Sequence, residues 1–378
     1  MRIAMDDTTG KNKLSAVKSR SAALTAALLV GVCLGVMVSE KLYLASQEAA
    51  LEPGAVEAIR SRKMEVGSGG SAAAAVTTRR SSGKPRNALE EILQRVAPQG
   101  EVMIAISNYN LILESSLVMW LECVQRIPTL KNWLVVAIDE QLRDYCVEHN
   151  INHYYRPVVI PDSQKDTGSN HAISAMKYEI IREFLQLGYD VLLSDVDIVT
   201  LQNPFDHLYR DSDVEGMTDG HDSGTAYGEI YGIDDPSMGW SRYAQGTRHM
   251  AFNSGLFFVK ANEKTIDLMT RIADKLSKQK EWDQSVWNEY IFFLSHGDYK
   301  SPQIIARVMD YYQFMNTKVL FKQVRHMPRD QQPKPVMVHA NFHPDKSERM
   351  RGIIAYYIQG DEHALDKFPG GSEPGTRR

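Results

Sequence analysis

Two hydrophobic periods alternate along the first part of the folded chain. Short apolar runs of the kind a strand covered on both faces requires occur at Glu101–Ser107 (EVMIAIS), 133–138 (WLVVAI) and 191–193 (VLL). Stretches with helical spacing lie before and between them. Asn87 is placed to cap a first helix over Ala88–Val96. A second helix is predicted over 110–126, with Leu113, Leu117, Trp120, Leu121 and Val124 on one face. Residues 140–149 form a third, 154–160 an extended segment, and 172–187 a strong helix with Ile173, Met176, Ile180, Ile181, Phe184 and Leu187 on one side and Gly188 as its stop. Strands that alternate with helices imply a parallel sheet with right-handed crossovers, an α/β layer of the nucleotide-binding type.

Beyond Thr200 the pattern loosens. Residues 211–243, rich in Gly, Asp and Ser, read as a long loop that Trp240 and Tyr243 keep ordered and that could present an acceptor surface. Further on, 251–260 is a strand with polar Asn253-Ser254-Gly255 at its centre, and 263–280 and 282–293 are helices. Late strands are predicted at 319–324 and 336–339, and a helix over 345–358 closes the domain. No internal repeat is present.

Composition changes this picture mainly at the N-terminus. Residues 22–38 (AALTAALLVGVCLGVMV) form an uncharged apolar run close to the length of a membrane-spanning helix. Lys11, Lys13, Lys18 and Arg20 precede it, while Glu40 and a single Lys41 follow, which keeps the tail 1–21 cytosolic and sends the rest to the lumen. An uncleaved type II anchor is the reading adopted. A cleaved signal peptide competes with it, against an unusually long apolar region and charged leader. Residues 39–86, with GSGGSAAAA and SSGKPR, form a flexible stem, and 87–378 the folded domain. The net charge of −4 argues against nucleic acid as a partner. Cys123 and Cys146 either pair or remain buried thiols, and no zinc spacing is present.

The chemistry concentrates in 189–199 (YDVLLSDVDIV), where an apolar strand runs into Asp195 and Asp197. Ligands bind at the carboxyl ends of strands in open α/β sheets. Two carboxylates there repel unless a cation lies between them, and a divalent ion with oxygen ligands fits. The plain alternative is a strand-to-loop junction with two solvated Asp. A third ligand would come from elsewhere, and His339, at the end of its own apolar strand, is best placed. Imidazole beside two carboxylates suits Mn²⁺ better than Mg²⁺.

The blocks SDVDIVTLQNPFDHLYRDSDVEGMTDGHD, DDPSMGWSRYAQ, FNSGLFF, WDQSVWNEYIFF, VMDYYQFMNTKVLFK and VHANFHPDKSERM, in this order, resemble glycosyltransferase family 77. They look most like its plant and algal arabinosyltransferases, which act on hydroxyproline-linked arabinosides of extensin-like cell-wall proteins. The likeness runs from about residue 99 to about 370. It implies a Rossmann-like GT-A fold, a type II Golgi membrane protein, room for complexes with other Golgi glycosyltransferases, and retaining transfer of a sugar from a UDP-sugar to a hydroxyproline-rich glycoprotein. Sister members transfer xylose or galactose. The resemblance maps Asp195 and Asp197 to the metal-binding DxD, with Asp195 also near the donor ribose, and His339 to the metal histidine of more distant retaining enzymes. It maps Lys177 to a donor-contacting base and Lys346, at an unusual spacing, to the lysine that grips the diphosphate. Asn253 and the Asp283-Gln284 pair fall where those enzymes contact the transferred sugar. Asp283 would serve a covalent mechanism and Gln284 a front-face one, while Asp283 also suits a helix cap. A phosphatase of the haloacid-dehalogenase type, or a tethered sugar-binding protein without turnover, are the competing classes.

Overall fold

The structure, a computed structural model, describes residues 85–165, 169–227, 252–292 and 304–370. The expected tail, the apolar run 22–38 and the stem up to 84 lie outside the described residues, as do Trp240 and Tyr243. Among the described residues no helix is long and apolar enough to cross a membrane.

The strands are β1 Glu101–Ser107, β2 Trp133–Ala137, β3 His153–Tyr155, β4 Asp190–Ser194, β5 Ile198–Thr200, β6 Val214–Thr218, β7 Phe252–Val259, β8 Ala306–Val308, β9 Phe314–Asn316 and β10 Met337–His339. Helices are α1 Ala88–Val96, α2 Asn110–Leu113, α3 Ser116–Gln125, α4 Glu140–Glu148, α5 Ser169–Gln186, α6 Ser223–Tyr227, α7 Glu263–Lys278, α8 Asp283–Phe292 and α9 Lys346–Ile354. The main sheet has the order β3-β2-β1-β4-β7-β6-β8, and a small sheet the order β5-β10-β9. From β3 to β4 all pairs are parallel, as the alternating pattern requires. β7 then runs antiparallel to both β4 and β6, so the whole sheet is mixed.

Local chemistry explains the elements that hold the site. Asn87 Oδ1 accepts from Glu90 N at 2.9 Å, the cap expected for α1. Asp139 caps α4 through Leu142 N at 2.7 Å and also accepts from Tyr109 N at 2.9 Å, tying the exit of β1 to the start of α4. β7 is buried along its whole length, and Phe257 on it stacks on Trp287 of α8 with centroids 4.2 Å apart. That packing fixes where the first residues of α8 lie.

Three expectations are corrected. The helix over 110–126 is two helices, because Ser115 adopts φ 65° and re-aims the chain; Leu113 is 69% exposed instead of sharing the buried face. The strand over 319–324 is a π-helical turn, Val319–Gln323. Asn316 Oδ1 accepts from Lys318 N at 2.8 Å and Val319 N at 3.2 Å and starts a turn where apolar spacing alone could not choose between helix and strand. The long loop over 211–243 contains β6, whose Glu215 and Gly216 hide the strand pattern. Glu215 is buried because it accepts from the backbone N–H groups of Tyr209 and Arg210, and a Cβ at Gly216 would collide with the Phe252 ring. Cys123 and Cys146 are free and buried, which excludes their pairing.

Candidate functional site

The Asp195–Asp197 segment is the turn between two sheets. β4 ends at Ser194 in the main sheet and β5 begins at Ile198 in the small one. The turn is held at several points. Trp120 Nε1 donates to Ser194 Oγ at 3.0 Å, and that hydroxyl donates to Asp195 O at 3.1 Å. Asp195 N donates to Gly255 O at 2.7 Å, and Ala340 N to Asp197 O at 2.9 Å. His339 pairs with Ile198 across the small sheet, which brings its imidazole to the carboxylates.

Asp195, Asp197 and His339 each offer a ligand atom within 4.8 Å of the others. His339 Nε2 lies 3.0 Å from Asp197 Oδ1, yet that buried oxygen has no hydrogen bond of proper geometry among the described residues. Gly255 is the cradle's floor: a Cβ there would collide with Asp195 Oδ2 and stand 2.8 Å from His339 Cε1. Asp195 keeps an opening to solvent, but the protein packed around it pushes its carboxyl up; Lys177 opposes this and Asp197 adds to it. Burial works in the same sense on Asp197, but Lys346 and His339 outweigh it and hold that carboxyl well below the usual range. Lys346 Nζ stands 2.6 Å from Asp197 Oδ2, and Asp197 raises the lysine in turn. Two crowded carboxylates, an imidazole and an orphaned buried oxygen fit a divalent cation.

Beside this cluster lies a second charged group. Lys177 of α5 and Asp283 of α8 form an ion pair of 2.6 Å, with side chains only 4% and 5% exposed. Lys177 Nζ also donates to Ser254 O at 2.7 Å, and Ser254 Oγ to Asp283 Oδ2 at 3.0 Å. Asp283 opens α8, but its carboxylate serves this pair, and the amides of Ser285 and Val286 bond to Trp282 O. The capping role considered for it is not what its side chain performs.

Asp219, just past the end of β6, is the residue sequence reasoning missed. It is buried and accepts from Asn253 Nδ2 at 2.8 Å, Gln284 Nε2 at 2.8 Å and Asn341 Nδ2 at 3.0 Å. Burial raises its carboxyl, with Gln284 and Asn253 opposing. The acidic residue at a strand end was a signal, but the strand itself was unread. The structure thus joins Asp195, Asp197, His339, Lys346 in one cluster, and Lys177, Asp283, Ser254 and the Asn253–Gln284–Asp219 network in another, with Ser254 and Gly255 adjoining both. At the carboxyl end of β1, next to β4, Asn108 Oδ1 is buried with no partner among the described residues. Sequence reading did not single out Asn108, whose one signal is its place just past the end of β1.

Residues 128–352 match the nucleotide-diphospho-sugar transferase family. Arabinosyltransferase RRA2 of Arabidopsis thaliana is 48% identical over 286 residues, which are 75% of this chain and 66% of its own length. Arabinosyltransferase RRA1 of the same plant is 43% identical over 295 residues, 77% of this chain and 71% of its own. The match therefore spans just under two thirds of the first of these relatives. Among solved structures, galactosyltransferase LgtC in complex with donor and acceptor sugar analogs is 14% identical, with a TM-score of 0.40 over 68% of this chain and 96% of its own.

Proposed function

The chain belongs to the nucleotide-diphospho-sugar transferase family, as an arabinosyltransferase-like glycosyltransferase of family 77, and on that footing we propose that it transfers L-arabinofuranose from UDP-arabinofuranose, with retention, onto hydroxyproline-linked arabinosides of extensin-like glycoproteins. The observation that carries this reading is the meeting of Asp195, Asp197, His339 and Lys346 at the ends of β4 and β10. The fold is of the GT-A type, and the domain works in the Golgi lumen behind the anchor at 22–38.

The site divides the work among its residues. Asp195, Asp197 and His339 would hold a divalent ion, Mn²⁺ or Mg²⁺, which would supply positive charge against the departing diphosphate. Lys346 leaves Asp197 for the diphosphate oxygens once that carboxylate is engaged elsewhere. The unpartnered acceptor Asn108 Oδ1, buried in the structure, receives a donor group of the nucleoside when its side chain turns toward the donor. At the sugar end, Asp219 takes Gln284 Nε2 at 2.8 Å and so orients the amide, whose oxygen meets Ser254 N at 3.5 Å and faces the sugar in this reading. That oxygen stabilises positive charge as the glycosidic bond to UDP loosens. Asp283 is engaged by Lys177 and Ser254, which favours front-face attack by the acceptor hydroxyl over a covalent intermediate on Asp283. The leaving diphosphate takes the hydroxyl proton in that route.

The test is to incubate the purified full-length chain with Mn²⁺, UDP-arabinofuranose and an arabinosylated hydroxyproline peptide, and to read the product by mass spectrometry. A pentose added in wild type and absent in Asp197→Ala supports the reading. Transfer only from UDP-xylose or UDP-galactose moves the donor assignment to a sister activity; a xylosyltransferase of Arabidopsis thaliana and a galactosyltransferase of Dictyostelium discoideum are relatives at 30% and 25% identity. No transfer from any of these donors overturns it.

A further inference from the structure

A cavity of about 330 Å³ opens on the flank of the small sheet, away from the carboxylate cluster. That is the lower end of the range for small-molecule sites. Its wall starts where β5 ends: Leu201 N donates to Val336 O at 2.8 Å, and Gln202 Nε2 to Pro335 O at 3.0 Å. Asp197 and His339 lie at the other end of the β5–β10 pair. Three residues of strand separate the two ends, about 10 Å.

Arg126, Arg329 and Lys334 line this cavity, and no acidic residue does. Among the described residues none of the three makes a salt bridge. The two guanidinium groups are already held. Arg126 Nη2 donates to Leu201 O at 2.8 Å, and Arg329 lies 4.2 Å from the centroid of Tyr356, whose hydroxyl donates to Gln332 Oε1 at 2.7 Å. Leu201, Pro333, Pro335 and Ile358 give the cavity an apolar side. Tyr357 is also in the wall, and its buried hydroxyl has no partner among the described residues. All three residues are exposed, so solvent screens their repulsion. With no carboxylate in the wall beside them they still favour an anion in the hollow, and a positioned guanidinium is a fork for carboxylate or phosphate.

We propose that this cavity is a second binding site, for a small saccharide carrying one oxyanion: the carboxylate or phosphate sits among Arg126, Arg329 and Lys334, and the carbon body lies on the Leu201–Pro335 side. The shared chemistry has two sources, a uronic acid or a sugar phosphate. The site is separate from the transfer centre and does not depend on which sugar is transferred.

The experiment titrates the full-length chain, in EDTA so that no divalent ion is present, with galacturonate, glucose 1-phosphate and glucose by calorimetry. One or both acids bind saturably and glucose does not. In the double variant Arg329→Gln/Lys334→Gln the affinity for the acid falls about tenfold or more, as expected when charge-assisted bonds are lost. Lys346→Gln leaves that affinity unchanged. Preference for galacturonate assigns a carboxylate ligand, and preference for glucose 1-phosphate a phosphate. Saturation by neither acid, equal binding by the double variant, or loss of binding in Lys346→Gln overturns the proposal, the last because it places the anion beside Asp197. Sugar transfer by the double variant stays at the wild-type rate; the proposal of a separate site fails if that rate collapses with the fold intact.

Discussion

Replacing Gly255 by alanine probes the cation cradle with a single methyl group. The new Cβ would collide with Asp195 Oδ2 and lie 2.8 Å from His339 Cε1 and 3.0 Å from Asp195 Cγ. The backbones on both sides are held, so the clash falls on the Asp195 carboxylate and the His339 ring. Asp195 N is bonded to Gly255 O at 2.7 Å, His339 sits within β10, and β7 is clamped to β4 by the Ser194–Leu256 pair. The strain of an added methyl in such a place is about 1–3 kcal/mol. Shifting a carboxylate and an imidazole from their joint focus costs about 10- to 100-fold in metal affinity, as losses of supporting contacts do. Mn²⁺ affinity is read by calorimetry and stability by thermal melting. Gly352→Ala is the control, since its Cβ meets Phe368 Cε2 at 2.6 Å, outside the cluster. Both variants lose a few degrees of melting temperature, but only Gly255→Ala loses Mn²⁺. Wild-type Mn²⁺ affinity in a folded Gly255→Ala protein would refute the reasoning.

Other perturbations test the neighbouring groups. Lys177→Met strands the buried Asp283 carboxylate and costs about 3–5 kcal/mol in denaturant unfolding; adding Asp283→Asn recovers most of this, and strictly additive costs would show that the pair is not coupled. Asp219→Ala leaves three buried amides short of an acceptor, at about 1–3 kcal/mol for each group left unsatisfied. Turnover falls about tenfold or more through misplacement of Gln284, with Mn²⁺ affinity unchanged, so a loss of Mn²⁺ binding would place Asp219 in the wrong role. Burial pushes the Cys123 thiol to about 11 and that of Cys146 to about 12, so at pH 8 both are protonated and alkylation by iodoacetamide waits for unfolding. Fast labelling of either peptide in the native protein, seen by mass spectrometry, would contradict the burial.

The sequence made legible what local pattern controls. β1, β2, β4 and α5 follow from apolar spacing, and the cap of α1 from Asn87, because each depends on residues near it in the chain. Asp195 and Asp197 stood out since carboxylates end an apolar strand, and His339 for the same reason on β10. The missed features depend on distant partners. Glu215 is at home in a buried strand only because the backbone of Tyr209 and Arg210 meets it. Asp219 gains meaning from Asn253, Gln284 and Asn341, which lie far along the chain. The turn after Asn316 turned on one side-chain oxygen that no periodicity records. Lys346, whose spacing departs from the family's, still reaches Asp197, since α9 begins there and places it over the carboxylate.

The central claim is that Asp195, Asp197 and His339 form one cation site that serves a nucleotide diphosphate. UDP binding to the full-length chain, measured by calorimetry with and without Mn²⁺, addresses it directly. Wild type is predicted to bind UDP weakly in EDTA and tightly with Mn²⁺, with each ligand strengthening the other by the same factor, as linkage requires. In Asp197→Ala and His339→Ala that factor falls to about one. Undiminished coupling in both folded variants would contradict the account.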